Sequence, residues 1–508
     1  METFFVTTPI YYVNDKPHIG HAYTTIACDI LARYNKLKNK DVYFLTGTDE
    51  HGQKVEKAAK NVSEEPQFFT NKMSENFKDL VGFLNCDAND FIRTTELRHK
   101  KAAQNLWNKL LENDQIYIDN YEGWYSVRDE AFYAENELTK SNDKYFSPSG
   151  AEVEWLKEES YFFKLSQWQD NLLEHYNKNP SAIAPKSRYN EVISFIKSGL
   201  KDLSISRTTF KWGIPVPNND QHIMYVWLDA LTNYITAIGY PDIKSESFQK
   251  YWPAVHIVGK DILRFHAVYW PAFLMAAELK PPKRIFAHGW WTNEGEKISK
   301  SIGNIIDPYD IVNIYGLDQI RYFLFREVPF GNDGDFSKKA IATRVNADLA
   351  NNLGNLVQRV CSFINNNCDS IVQNEFNLEH DDQKLFEFSR MKFQNYINFF
   401  DNQEIDKAIK EVIELTSKAN VYCDKLAPWG LKKTDTKRMK EVLSTLVDII
   451  RRSSLMLFPV MPDSIKKIYS ILNISEDQIN FDYFDQLPKS SYKINTTVPV
   501  FPRFETTD

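Results

Sequence analysis

A strand–helix–strand pattern that is written near the N-terminus and again after residue 255 constrains this chain more than any other feature in it. Residues 3–12, rich in β-branched and aromatic side chains, read as a buried strand. A polar break at 13–17 follows, and a helix opens near Ile19 or Gly20, with Ile26, Ala27, Ile30, Leu31, Tyr34 and Leu37 on one stripe. Residues 42–46 form a second strand that runs into Gly47-Thr48-Asp49-Glu50-His51-Gly52. The pattern returns as a strand at 255–258, a helix over 262–279 and a strand at 285–288. Such alternation builds a parallel α/β sheet with helices on both faces. Between the two halves, residues 116–214 are rich in Tyr, Trp and Glu without clear alternation, and read as an inserted domain. After about residue 345 the apolar spacing becomes helical: Leu349, Leu353, Leu356, Val357, Val360 and Phe363 make one face, and Leu443, Leu446, Ile449 and Ile450 another. The expected organisation is a nucleotide-binding fold in two parts (1–115 and 215–300), an insert at 116–214, a connecting region at 301–345 and an all-α bundle at 346–508.

Composition limits the functional classes without choosing one. At 508 residues, 43% hydrophobic and 25% charged, the chain supports two to four domains and is not of disordered type. It has no apolar run of membrane-spanning length, and its N-terminus lacks the basic and apolar regions of a signal peptide, so no membrane role and a cytoplasmic location are expected. Cys28, Cys86, Cys361, Cys368 and Cys423 never form Cys-x-x-Cys, which fits free thiols and gives no zinc signature. The net charge of −7 argues slightly against a nucleic-acid partner, but an acidic total can coexist with a local basic face.

Two short motifs carry chemistry. His18-Ile19-Gly20-His21 lies between the first strand and first helix. Ligands bind there in an open parallel sheet, and a helix N-terminus favours phosphate. Two imidazoles three residues apart can donate to a phosphate whose charge grows in the transition state. Gly20 removes a side chain where a ligand base must come close. Lys297-Ile298-Ser299-Lys300-Ser301, on a Gly-flanked loop, can neutralise leaving pyrophosphate. Alone, the first reads as a histidine-containing helix start and the second as a solvated basic loop. Together, at strand ends of the two halves of one fold, they read as an ATP site.

The pair resembles the His-Ile-Gly-His and Lys-Met-Ser-Lys-Ser signatures of class I aminoacyl-tRNA synthetases, with Ile298 for the usual Met. Thr8-Pro9-Ile10-Tyr11-Tyr12-Val13-Asn14, Gly47 to Gly52, Tyr225-Val226-Trp227-Leu228-Asp229-Ala230, Gly259-Lys260-Asp261-Ile262-Leu263-Arg264-Phe265-His266 and His288-Gly289-Trp290-Trp291 are similar to methionyl-tRNA synthetases. The resemblance implies a Rossmann-like catalytic domain that activates L-methionine with Mg²⁺-bound ATP, through methionyl-adenylate. It puts His18, His21, Lys297 and Lys300 in catalysis, and Gly20, Gly259, Asp261, Ser299 and Ser301 around ATP. The α-amino group goes to Asp49, and the thioether among Ile10, Tyr12, Trp227, Ala230, Tyr234, Ile262 and His266. Because one methylene is worth roughly 1–3 kcal/mol, weak misactivation of homocysteine is expected. The insert is too short for a large hydrolytic editing domain, so any editing is expected in the synthetic site.

The resemblance reaches both ends of the tRNA. Residues 121–129 are similar to the family's connective insert, which guides the acceptor end. Many relatives carry a Cys-x-x-Cys zinc knuckle there. Here Ser126 and Asp129 stand at the Cys positions and Ser149 where a further ligand would fall, so no structural zinc is expected, and Trp124, Tyr125, Phe132, Tyr133 and Trp155 hold the insert instead. Asn355 and Arg359, off the apolar stripe, and Trp429 of Ala427-Pro428-Trp429 match the anticodon-reading elements. The partners implied are initiator and elongator methionine tRNA. No dimerising module follows the bundle, and a monomer is expected.

Overall fold

The computed structural model describes residues 1–508 except 130, 142, 294–295, 298–305, 374–377, 487–490 and 506–508; of 121, 131, 132, 293, 296 and 297 it describes the backbone alone. The chain divides into two compact units: Thr3–Pro17 with Tyr43–Ala287, and Met1–Glu2 with His18–Val42 and His288–Asp508.

The first unit is built on a parallel sheet. Its strands are β1 (Thr3–Thr7), β2 (Tyr11–Tyr12), β3 (Asp41–Asp49) and β4 (Asp90–Arg93), with Ile183–Ala184, Val255–Gly259 and Arg284–His288. The order runs 183–184, 284–288, 255–259, β1, β3, β2, and β4 also pairs with β3. Val6 lies opposite Val255, and Leu45 opposite Asp90, all in parallel register. Gly47 allows the β3/β4 approach, since a Cβ there would lie 2.0 Å from the Ile92 carbonyl oxygen. Phe5, Leu45, Trp107, Leu228, Trp270 and Phe273 belong to one buried cluster that fills this unit.

Two expected elements differ. The strand at 3–12 is broken, because Pro9 has no N–H to give a ladder. The strand ends at Thr7, the Thr8 amide still donates to the Leu45 carbonyl at 3.1 Å, and strand pairing resumes with Tyr11 opposite Thr48 and Tyr12 opposite Asp49. The helix at 262–279 is also irregular, with a 3-10 turn at Lys260–Ile262, a π-helical stretch at Phe265–Tyr269 and an α-helix only at Trp270–Ala276. Pro271 lacks an N–H and its ring crowds the carbonyl four residues back, at Ala267, where the wider π turn sits.

Within residues 116–214, Ile183–Ala184 joins the parallel sheet, with Ile183 opposite Ile285. The long strands Ile116–Ser126 and Glu152–Phe163 pair antiparallel, from Ile116 opposite Phe163 to Tyr125 opposite Glu154. Much of Glu152–Phe163 is exposed on both faces, so its sequence shows no clean alternation.

The second unit is mostly helical. Helix α1 (Ile19–Leu37) buries the expected stripe, and also Tyr23, Cys28 and Asp29. The long helices His380–Asp401, Ile405–Leu426 and Thr436–Leu457 belong to the same unit. The buried Arg321 guanidinium reaches Asp29 Oδ2 at 2.5 Å and the carbonyls of Pro459 and Val460 at 3.1 and 2.8 Å. Tyr34 stacks on Phe400 at 4.5 Å and donates to Asp401 at 2.8 Å. Among the described residues, no helix is long and apolar enough to cross a membrane.

Candidate active site

The residues expected around methionine come from the carboxyl ends of strands and the turns after them. Asp49 ends β3 and is 4% exposed. Trp227 and Ala230 lie on the short helix Val226–Leu231, Tyr234 on Asn233–Thr236, and Ile262 and His266 beyond the strand Val255–Gly259. Ile10, Tyr12, Trp227 and Ile262 stay partly exposed while packing against the cluster that buries Tyr234. Trp227 stacks on Phe265, with ring centroids 3.9 Å apart and planes 8° from parallel, and meets His266 edge-on at 6.0 Å. Its buried Nε1 has no hydrogen-bond partner among the described residues. Aromatic faces and edges of this kind suit a polarizable thioether.

His266 is held neutral. Its Nδ1 lies 2.9 Å from the Ile262 carbonyl, which can only accept, so Nδ1 carries the proton. Its Nε2 then accepts from the Tyr234 hydroxyl at 2.7 Å. Burial lowers the ring's pKa to about 4. The Tyr12 hydroxyl donates to the His51 carbonyl at 3.0 Å. Gly259, partly exposed, ends its strand, and Asp261 is exposed on the turn that follows.

Further groups that sequence alone does not single out meet on the same segments. Asp229 is clamped between His51 and His99, both at 2.7 Å. His51 and Asp229 sit inside quoted motifs, whereas His99 is one histidine on the helix Leu97–Glu112 with no sequence signal. Phe265, the stacking partner of Trp227, was likewise visible only as part of a motif.

In the second unit, His18 caps α1 and the two histidines cap each other. The Gly20 amide donates to His18 Nδ1 at 3.0 Å, and the His18 amide to His21 Nδ1 at 3.1 Å. Both Nδ1 atoms are therefore acceptors, and each neutral ring carries its proton on Nε2. Burial lowers both pKa values, that of His21 well below the usual range, with His18 adding to the effect. The ring centroids are 4.0 Å apart. Gly20 is needed inside the motif itself: a Cβ there would lie 2.8 Å from His18 Cε1. Lys297 lies on the strand Glu296–Lys297, opposite Thr292 of Trp291–Asn293, which pairs in parallel with Gly334–Phe336. Ser299, Lys300 and Ser301 lie outside the described residues.

In the insert, Asp129 is the hub of a cluster of hydrogen bonds. Its Oδ2 accepts from Ser147 and Ser149 at 2.6 Å each and from Tyr133 at 3.0 Å. Its amide donates to Ser126 Oγ at 3.1 Å. Burial would raise this carboxyl's pKa, but the hydroxyls and Arg128 hold it below the usual range. Three hydroxyls and one carboxylate do not fit structural zinc, which needs thiolate or imidazole donors.

Asn355 and Arg359, expected off the apolar stripe, are half-buried on the helix Asn355–Asn367. Arg359 pairs with Asp424 at 2.6 Å, and its guanidinium lies 5.1 Å from the Trp429 ring centre. Ala427, with φ of 42°, ends Ile405–Leu426 in the left-handed conformation, and Pro428 opens the next helix. Trp429 is left 44% exposed.

A family model described as tRNA synthetases class I (M) matches residues 4–361, and one described as the anticodon binding domain of methionyl tRNA ligase matches residues 373–500. The methionine–tRNA ligase of Rickettsia felis is 54% identical over 510 residues, covering 99% of each chain. That of Mesorhizobium japonicum is 48% identical over 99% of this chain and 98% of its own. The structure of Mycobacterium tuberculosis methionyl-tRNA synthetase in complex with methionyl-adenylate matches with a TM-score of 0.97 at 45% identity, over 99% of this chain and 100% of that one. The chain belongs to the methionyl-tRNA synthetases.

Proposed function

We propose that this chain performs its family's reaction, ATP-dependent ligation of L-methionine to tRNA through methionyl-adenylate, with the residues above in the following roles. Asp49 binds the substrate ammonium as a charge-assisted partner. Ile10, Tyr12, Trp227, Ala230, Tyr234, Ile262 and His266 enclose the thioether. Gly259 and Asp261 hold the adenosine, and Gly20, Ser299 and Ser301 serve the ATP site. ATP arrives as its Mg²⁺ complex. The methionine carboxylate attacks the α-phosphorus, and the bond to pyrophosphate breaks. His18 and His21, with Lys297 and Lys300, stabilise the charge that develops. The ribose hydroxyl of the terminal tRNA adenosine then attacks the adenylate carbonyl, releasing AMP; this step depends mainly on positioning.

The observation that carries this reading is the histidine pair, whose backbone hydrogen bonds lock both rings as Nε2–H donors without a positive charge. Asn355, Arg359 and Trp429 read the anticodon of initiator and elongator methionine tRNA, and the insert guides the acceptor end. We further propose that the chain works as a cytoplasmic monomer, with the Asp129 hub doing the structural work of a zinc knuckle. Metal analysis should find less than stoichiometric zinc; one zinc per chain would refute that part.

Amino-acid-dependent ATP–pyrophosphate exchange without tRNA tests the reading. Strong exchange with methionine and weak exchange with homocysteine is expected. Exchange driven by a different amino acid would discard the methionine lining.

A further inference from the structure

Asp229 has none of the roles assigned above, yet its side chain is 1% exposed and fully committed. Oδ2 lies 2.7 Å from His51 Nδ1, and Oδ1 lies 2.7 Å from His99 Nε2. Both rings are buried too, at 2% and 0% exposure. An ionised carboxylate can only accept, so each nitrogen facing it carries a proton, and Asp229 fixes the tautomer and plane of both imidazoles. Burial alone would raise this carboxyl's pKa, but the two histidines outweigh it and hold the value down to about 2.

The segments that meet here are those bearing the methionine lining. His51 follows Asp49 by two residues, and its carbonyl accepts from Tyr12. Its ring lies edge-on to Trp212 at 5.5 Å, and Trp212 Nε1 donates to the neighbouring Glu50 carbonyl at 2.5 Å. Asp229 shares the helix Val226–Leu231 with Trp227 and Ala230. That helix has six residues, too few to hold an orientation without tertiary partners. The other nitrogen of His99 lies 3.4 Å from Thr236 Oγ1, on the same helical turn as Tyr234.

We propose that Asp229 is a positioning residue for methionine. Through His51 it sets the Asp49 and Tyr12 side of the lining. Through its own helix and His99 it sets the Trp227, Ala230 and Tyr234 side. The inference rests on the lining read above as the methionine site. A carboxylate serving stability alone would leave substrate affinities unchanged in whatever fraction stays folded.

Asp229→Asn is nearly isosteric, but its amide nitrogen cannot accept, so one imidazole must turn or change tautomer. In ATP–pyrophosphate exchange, its KM for methionine should rise about tenfold or more, a modest effect beside what a displacement of ~1 Å can cost. Its KM for ATP should stay at the wild-type value. An unchanged methionine KM, a parallel rise in both KM values, or a fall in kcat alone would overturn the inference. If Asp229→Asn does not fold, the pair His51→Asn and His51→Leu decides. An Asn amide can still donate from the Nδ1 position, so His51→Asn should keep a near-normal methionine KM while His51→Leu raises it; equal KM values would overturn the inference. A wild-type chain without methionine-dependent exchange would instead sink the lining itself, and this inference with it.

Discussion

His18 and His21 illustrate how little a side-chain inventory says before hydrogen bonds are counted. Each ring accepts a backbone amide at Nδ1, so what reaches a phosphate is a neutral Nε2–H. Replacing either histidine by alanine should lower kcat in exchange by roughly 10²–10³, the usual cost of one preorganised donor, with little change in methionine KM. A loss confined to KM would rule out transition-state stabilisation. His266 gives a pH prediction. Its folded pKa, about 4, lies below the unfolded value near 6.5. Below pH 6.5 the unfolded chain therefore takes up the proton first, and stability falls as pH drops from 6.5 to about 4. The loss amounts to about 3 kcal/mol from this ring. Urea unfolding from pH 7 to pH 4.5 should show the fall, and His266→Gln should flatten it; an equal slope in the variant would contradict the account. Both histidines of the motif, like Asp49 and Trp227, could be named from sequence because they sit in short patterns. His99 could not, because nothing local distinguishes a histidine that meets a carboxylate 130 residues away.

Helix α1 is tied to the rest of its unit by one buried cation. Arg321 lies against Asp29, which also holds Arg33 at 2.7 Å, and reaches the carbonyls of Pro459 and Val460. Arg321→Met would leave Asp29 with Arg33 as its remaining cation, so the cost should fall below the roughly 3–5 kcal/mol of a buried charge left without any partner. A clear drop in melting temperature is expected, and adding Asp29→Leu should recover part of it. A double variant no better than the single would show that the carbonyl contacts, not the ion pair, carry the effect. Sequence periodicity placed α1 within a residue of its start, because its apolar stripe is regular. It missed the break at Pro9 and the π turn before Pro271, where a missing N–H decides and hydrophobic spacing gives no warning. It also left the insert without strands, because a ladder exposed on both faces has no inside to imprint a period of two.

The chain passes between its two units at residues 2/3, 17/18, 42/43 and 287/288, so α1 belongs with the C-terminal helices and not with the sheet strands that flank it in sequence. An amphipathic stripe records that a face is buried but not what buries it, and this partition could not be read from residues 19–37 alone. The helix that carries His18 and His21 therefore lies in the same compact unit as Asn355, Arg359 and Trp429. If those three read the anticodon, the unit has two separable duties, and one exposed ring tests the separation. Trp429 is 44% exposed with the Arg359 guanidinium 5.1 Å from its ring centre, an arrangement ready to stack an unpaired base. Stacking of this kind is worth roughly 1–3 kcal/mol per base, so Trp429→Ala should raise KM for tRNA in aminoacylation about tenfold, while methionine-dependent exchange without tRNA stays at the wild-type rate. Trp429→Phe keeps an aromatic face and should recover most of the loss. An alanine variant that charges tRNA normally would remove Trp429 from anticodon reading. One that loses exchange as fully as charging would mean that the ring supports the fold of the unit rather than the tRNA.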